Sequence, residues 1–311
     1  MLKRLGWIGL VVALFANLAS VTEAGSISSI IAFGDSLTDT GNVFLASGGT
    51  VPASPPYAAG RFSNAAIWID WLSSSKGLGV LTPSLAGGTN YAVGGAESGS
   101  GFNPPFIPNL LSQVGGYLSS AGGAADPNAV YVIWSGSNDY INGETNPNVP
   151  ASNIASAVSA LASAGATRFI VPNIVPIGST PRALATLTGL EQAQLNALVA
   201  QTNLLLKDAL DALALANQIQ IHQPDIHGLF LDAQANPAAY GFTNTTSAAL
   251  ADGVLDGKGY LFWDDLHPTG AAHALIASAS FAVPEPSTGA LSVLAVTCIG
   301  CYYRSRRSQA A

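Results

Sequence analysis

Apolar residues fall in two spacings along this chain, unbroken short runs and recurrences at every third or fourth position, and the two alternate. SISSIIAF (26–33) is an unbroken run that stops at Gly34, which predicts a buried strand delivering Asp35 and Ser36 to its C-terminal edge. AVYVIW (129–134) predicts a second strand, covered on both faces. Shorter runs at 89–93, 168–171 and 219–222 bring the number of strands to five. Helical spacing predicts 65–74, 154–164 and a long helix from near Leu190, in which Leu195, Leu198, Val199, Thr202, Leu206, Ala209 and Leu213 share one face. Helices at 225–233 and 271–281 flank a loop-rich stretch that runs to Gly259. Strands alternating with helices predict a three-layer α/β/α fold, a mainly parallel five-stranded sheet with helices on both faces. No internal repeat or second-domain linker interrupts the pattern. Ligands of such open sheets bind beyond the carboxyl ends of the strands. Ser36, the Gly94-Gly95 turn and Asn138 each follow a predicted strand, so one crevice would gather all three.

The two ends break the alternation. Lys3 and Arg4 precede an apolar run at 7–18, and Thr22 and Ala24 stand where a signal peptidase finds small residues, so residues 1–24 read as a signal peptide. The other end, VPEPSTGALSVLAVTCIGCYYRSRR (283–307), has an apolar stretch at 289–303 closed by Arg304, Arg306 and Arg307, which places those arginines on the cytoplasmic side of a membrane. That stretch is short for a permanent transmembrane span of ~20 residues, so a transient anchor is expected. Val283 to Ser287 and the residues after them resemble the PEP-CTERM sorting signal of bacteria, which implies an exosortase-like processing enzyme that removes residues 283–311. An ordinary C-terminal anchor is the alternative.

Composition narrows the class. At 49% apolar and 9% charged, with 33 glycines and 18 prolines, the chain is neither disordered nor a coiled coil. Between Gly25 and Pro286 six basic residues face seventeen acidic ones, a net −11, so no basic patch is left for a nucleic-acid partner. The two cysteines, Cys298 and Cys301, fall in the tail and lack a second ligand pair, so the remainder folds without disulfides and no metal site is expected.

The chemistry lies in four places. A serine hydroxyl becomes a nucleophile when an imidazole, held in one tautomer by a carboxylate, takes its proton. WDDLHPTG places Asp264 three residues before His267, close enough to meet Nδ1 within one turn, with Asp265 the weaker candidate. Acyl transfer also needs donors aimed at the developing oxyanion. Candidates are the backbone N–H groups of Ser36 and Gly95 and the side-chain amide of Asn138. His222, His227 and His273 have no ligand spacing and read as structural or surface residues, Tyr57, Trp68 and Trp71 read as core, and Arg61 and Asn64 lie in the turn GRFSN without an assigned role.

FGDSLTDTGN (33–42), NYAVGGA (90–96), GSND (136–139) and WDDLHPT (263–269) stand in the order of the blocks of the GDSL, or SGNH, hydrolases, and the chain resembles that family. PPYAAGRFSNAAIWIDWL (55–72) and NPAAYGFTN (236–244) resemble its branch of secreted lipases, haemolysin-like phospholipases and plant GDSL esterases. Ala65 and Ala66 stand where a glycine is common in that branch, and the glycine block leaves the register between Gly94 and Gly95 open. The resemblance implies a flavodoxin-like hydrolase domain over 25–282, with Ser36 as nucleophile, Asp264 and His267 as its base pair, and Ser36, Gly95 and Asn138 as the oxyanion hole. It implies an exported carboxylic ester hydrolase, acting on lipid or acetylated-polysaccharide esters through an acyl-serine intermediate with no metal or organic cofactor. Such a protein would work at the cell surface, in the extracellular matrix or free in the medium. An acyltransferase with the same residues and a non-catalytic surface or matrix protein of the same fold are the alternatives.

Overall fold

The computed structural model describes residues 27–103 and 106–281. The expected signal peptide at 1–24 and the tail at 283–311, with its apolar stretch 289–303 and both cysteines, lie outside the described residues. Among the described residues no helix is long and apolar enough to cross a membrane.

The strands are β1 (Ile30–Gly34), β2 (Phe102–Asn103), β3 (Ile107–Pro108), β4 (Val130–Trp134), β5 (Arg168–Ile170), β6 (Gln220–His222), β7 (Asn244–Ala248) and β8 (Tyr260–Phe262). The helices are α1 (Asn42–Ala46), α2 (Trp68–Ser75), α3 (Leu110–Ser120), α4 (Ser137–Ile141), α5 (Asn148–Ser163), α6 (Pro181–Thr186), α7 (Gly189–Asn217), α8 (Ile226–Ala235) and α9 (Gly270–Ser280). The central sheet is parallel in the order β1-β4-β5-β6. The fifth strand expected at 89–93 is reduced to isolated parallel bridges at Asn90, to Ala32 of β1 on one side and Pro83 on the other. The segment still follows the edge of β1 through Ala32 N–H to the Thr89 carbonyl, Tyr91 N–H to Ala32 and Val93 N–H to Gly34. Regular pairing stops there because Gly34 N–H, the donor that would continue the ladder, goes to Gln113 Oε1 instead. With this edge included, the order is that of a doubly wound flavodoxin-like sheet.

Every residue of β1 and β4 is buried. Alternate residues point to opposite faces. Ile30, Ala32, Val130, Val132 and Trp134 pack with α2, α8 and α9, whereas Ile31, Phe33, Tyr131 and Ile133 pack with α3, α5 and the middle of α7. Two cores therefore sandwich one sheet.

Local chemistry sets the helix ends. Thr188 and Glu191 form a reciprocal cap at the start of α7, each side chain accepting the other's backbone N–H. Asp225 and Thr269 cap α8 and α9. α5 begins six residues before the predicted 154, because Pro150 sits in the first turn, where its missing N–H leaves no helical bond unmade. α2 begins at Trp68 rather than at 65, since Asp70 reaches back to accept Ile67 N–H and fixes the first turn there. The loop-rich stretch before Gly259 contains β7, a polar strand paired in parallel with β8 across a register irregularity.

Candidate active site

Glycine shapes the end of β1. Gly34 has φ of +142°, and a Cβ there would lie 2.0 Å from the Trp134 carbonyl oxygen, so only glycine keeps β1 and β4 paired to their last residues. Gln113 of α3 clamps the same residue, accepting its N–H at 2.9 Å and donating to its carbonyl at 2.8 Å. The chain then folds back on Asp35, whose carbonyl accepts N–H bonds from Thr38 and Asp39 and whose Oδ1 accepts from Leu37. Ser36 stands at the tip of this turn and faces a cavity at the sheet's carboxyl edge.

His267 approaches from the turn after β8, which Trp263 N–H closes by donating to the His267 carbonyl at 2.7 Å. Within that turn Asp264 Oδ1 accepts the N–H groups of Leu266 and His267 at 2.8 and 2.7 Å. These bonds hold the carboxylate against the imidazole, with Nδ1 at 2.8 Å from Oδ2 and 3.0 Å from Oδ1. The ring's other nitrogen, Nε2, lies 2.9 Å from Ser36 Oγ. An ionised Asp264 fixes the tautomer: Nδ1–H donates to the carboxylate, so Nε2 accepts from the serine hydroxyl. Burial alone would raise the Asp264 pKa, but the adjacent His267 charge and its hydrogen bonds outweigh it and hold the carboxyl at about 2. Asp265 faces away and pairs with Arg182 at 2.8 Å, on the surface.

The three candidate oxyanion donors occupy adjoining loops. Neither Ser36 N–H nor Gly95 N–H donates to another described residue. Gly94 N–H, by contrast, is taken by Asp39 Oδ2 at 2.9 Å, which favours Gly95 over Gly94 for this role. A Cβ at Gly94 would meet the Phe62 ring at 2.5 Å, and Phe62 in turn lies on the His267 ring at 5.1 Å between centroids. Gly94 is thus the packing glycine of the pair. Asn138 heads α4 after β4 and lines the cavity beside Ser36. One hydrogen of its amide is bonded to the Ala96 carbonyl at 3.0 Å, which orients the group and leaves the other hydrogen uncommitted.

Several residues that the motif reading left unassigned hold this arrangement together. Asp39 accepts N–H bonds from Gly41, Asn42, Val43 and Gly94, joining the nucleophile turn to the glycine loop. Asp139 accepts from both the backbone and the hydroxyl of Ser98, joining α4 to the same loop. Asn103 donates to the Gly95 carbonyl at 2.9 Å. Burial raises the pKa of Asp35, Asp39 and Asp139, and carries Asp35, next to Ser36, to about 7. Tyr57 is not simply core: its hydroxyl donates to Asp264 Oδ2 at 2.7 Å and its ring stands edge-on against Trp263. Trp68 is core as expected, but Trp71 is 49% exposed beside a shallow surface groove, because on α2 it points away from the side that packs on α9. Arg61 braces the turn, bonding Asp70 and the Thr40 carbonyl, and Asn64 bonds the start of α9. His222, His227 and His273 stand apart from the site's hydrogen bonds, and the described residues contain no cluster of three or more His, Cys, Asp or Glu suited to a metal ion.

A family model described as GDSL-like Lipase/Acylhydrolase matches residues 30–280. Lipase 1 of Photorhabdus luminescens is 26% identical over 86% of this chain, which spans only 52% of that protein's length. Phosphatidylcholine-sterol acyltransferase of Aeromonas hydrophila is 25% identical over 81% of this chain and 88% of its own. Among solved structures, a lipolytic protein of the G-D-S-L family from Veillonella parvula aligns over 83% of this chain and 99% of its own, at 18% identity and a TM-score of 0.47.

Proposed function

The chain belongs to the GDSL-like lipase and acylhydrolase family, whose chemistry is ester hydrolysis or acyl transfer, and on that premise we propose that it is an exported serine esterase with Ser36 as nucleophile. The observation that carries the reading is the unbroken chain from Ser36 Oγ through His267 to Asp264. Ser36 Oγ attacks the ester carbonyl while Nε2 takes its proton, and the imidazolium formed is stabilised by Asp264. Negative charge collects on the carbonyl oxygen opposite Ser36 N–H, Gly95 N–H and the Asn138 amide; one such donor is worth about 2.7–4 kcal/mol in the transition state. Collapse of this intermediate breaks the bond to the alcohol, which leaves with the proton from Nε2. Water then enters, gives a proton to Nε2, attacks the acyl-Ser36 carbonyl and releases the acid, and the hydroxyl proton returns to Ser36. In both attacks His267 Nε2 is the proton acceptor.

Steady-state hydrolysis of p-nitrophenyl acetate tests the assignment. Ser36→Ala should lower kcat by about 10⁴-fold or more, because attack then depends on water and the remaining donors. Equal rates for the variant and the parent protein would remove Ser36 from the mechanism.

Transfer of the acyl group to an alcohol other than water uses the same intermediate, and the acyltransferase from Aeromonas gives that reading its support. Product analysis with a sugar or sterol acceptor separates the two. The leader at 1–24 and the PEP-CTERM-like tail at 283–311 support export followed by removal of a transient anchor. Mass spectrometry of the mature C-terminus tests whether an exosortase-like enzyme cuts near Val283.

A further inference from the structure

The cavity at Ser36 is walled mainly by apolar residues and reaches inward to the buried rings of Phe230 and Phe262. Ser36, Asn138 and His267 stand together on it, and its remaining wall is mainly Leu37, Ile141, Val175, Ile177, Phe230 and Phe262. Exposure orders these residues by depth. Ile141 is partly exposed, whereas Phe230 and Phe262 retain 3% and 2% of their surface and lie against each other at 6.1 Å between ring centroids. The Thr180 hydroxyl, also in the lining, is committed to the Ile177 carbonyl and Ala183 N–H. Away from Asp35 and Ser137, which lie beside Ser36 and Asn138, the wall offers a hydroxyl-rich alcohol such as a sugar few hydrogen-bond partners, whereas the hydrocarbon end of an acyl group loses nothing there.

Size then limits the acyl group. The cavity is small, with a volume of about 30 Å³. A space of that size holds only a few water- or methylene-sized groups. We propose that this cavity is the acyl subsite and that it takes acetyl to butyryl groups, the chain ending against Phe230 and Phe262. The proposal rests on the hydrolase reading and narrows it to short-acyl esters. Long-chain lipids are then poor substrates, and acetylated or butyrylated alcohols are the matching class.

The test is the kcat/KM profile of the full-length protein on monomeric p-nitrophenyl acetate, butyrate, octanoate and palmitate. The parent protein should favour acetate or butyrate over octanoate by at least ~10-fold, the scale on which a hydrophobic pocket discriminates by methylenes. Phe230→Ala should move the optimum toward octanoate. Because Phe230 is buried and its loss could unfold the domain, Ile141→Trp provides a second reading at the partly exposed mouth: it should raise the acetate-to-butyrate ratio at least ~5-fold. Circular dichroism and labelling of Ser36 by a small fluorophosphonate report whether each variant is folded. A parent optimum at octanoate or palmitate overturns the proposal, as does a profile unchanged in every folded variant. Cleavage with a long-chain optimum leaves the hydrolase reading standing; absence of both cleavage and Ser36 labelling removes that reading as well.

Discussion

Asp264 is more heavily bonded than an imidazole orienter requires. Besides His267 Nδ1, its carboxylate accepts two backbone N–H groups and the Tyr57 hydroxyl. Each tightens the geometry, and each stabilises the ionised form that holds the imidazole in its productive tautomer. Tyr57→Phe removes one hydrogen bond to a charged group, on the scale of 1.5–3 kcal/mol when fully expressed. Part of this should appear in the transition state, lowering kcat by about 10-fold with little change in KM. A kcat equal to that of the parent protein would show that the backbone N–H groups suffice. Tyr57 carries no signal in the sequence, because it meets Asp264 across 207 positions and sits in a proline-rich loop with no periodicity. Ser36, Asp264 and His267 were legible because turn chemistry and short spacing fix two of them locally. The Gly94 and Gly95 register was not, since it depends on which N–H the distant Asp39 takes.

At the scale of elements, buried polar residues tie loops to strand ends. Asp39, Asp139 and Gln113 do this for the nucleophile turn, the asparagine helix and β1. His273 does it between helices: on α9 it is fully buried, and its Nδ1 accepts the Trp68 N–H at the start of α2. Burial first, and then the charge of nearby His267, push its pKa down to about 3. A histidine lowered from about 6.5 binds its proton more readily in the unfolded chain, so its contribution is present above pH 6.5 and is lost as pH falls toward 3. His273→Gln keeps a hydrogen-bond acceptor and cannot titrate. Urea unfolding at pH 7 and pH 4.5 should show the parent protein losing about 2–3 kcal/mol more than His273→Gln over that interval. Parallel losses in both proteins would exclude His273 as the source. The sequence predicted the strands of the central sheet closely because their apolar runs are continuous. It missed β7, whose residues NTTSA are polar, and placed the starts of α2 and α5 wrongly where Asp70 and Pro150 act through turns rather than through periodicity.

On the scale of the molecule, two cores on one parallel sheet fix the carboxyl ends of β1 and β4, and the turn after β8 brings His267 across to them. β1 and β4 end shortly before Ser36 and Asn138, and a capped helix follows His267, so the turns that carry these residues are anchored by packing that needs no substrate. On the proposed reading, this geometry makes Ser36 a nucleophile through His267. Reaction with a fluorophosphonate followed by peptide mass spectrometry measures it most directly, since the reagent records activated serines without a choice of substrate. The expected result is a single adduct on the peptide containing Ser36 in the parent protein, and a labelling rate reduced by at least ~10³-fold in His267→Ala. Labelling of another serine, or of Ser36 at an equal rate in both proteins, would contradict it.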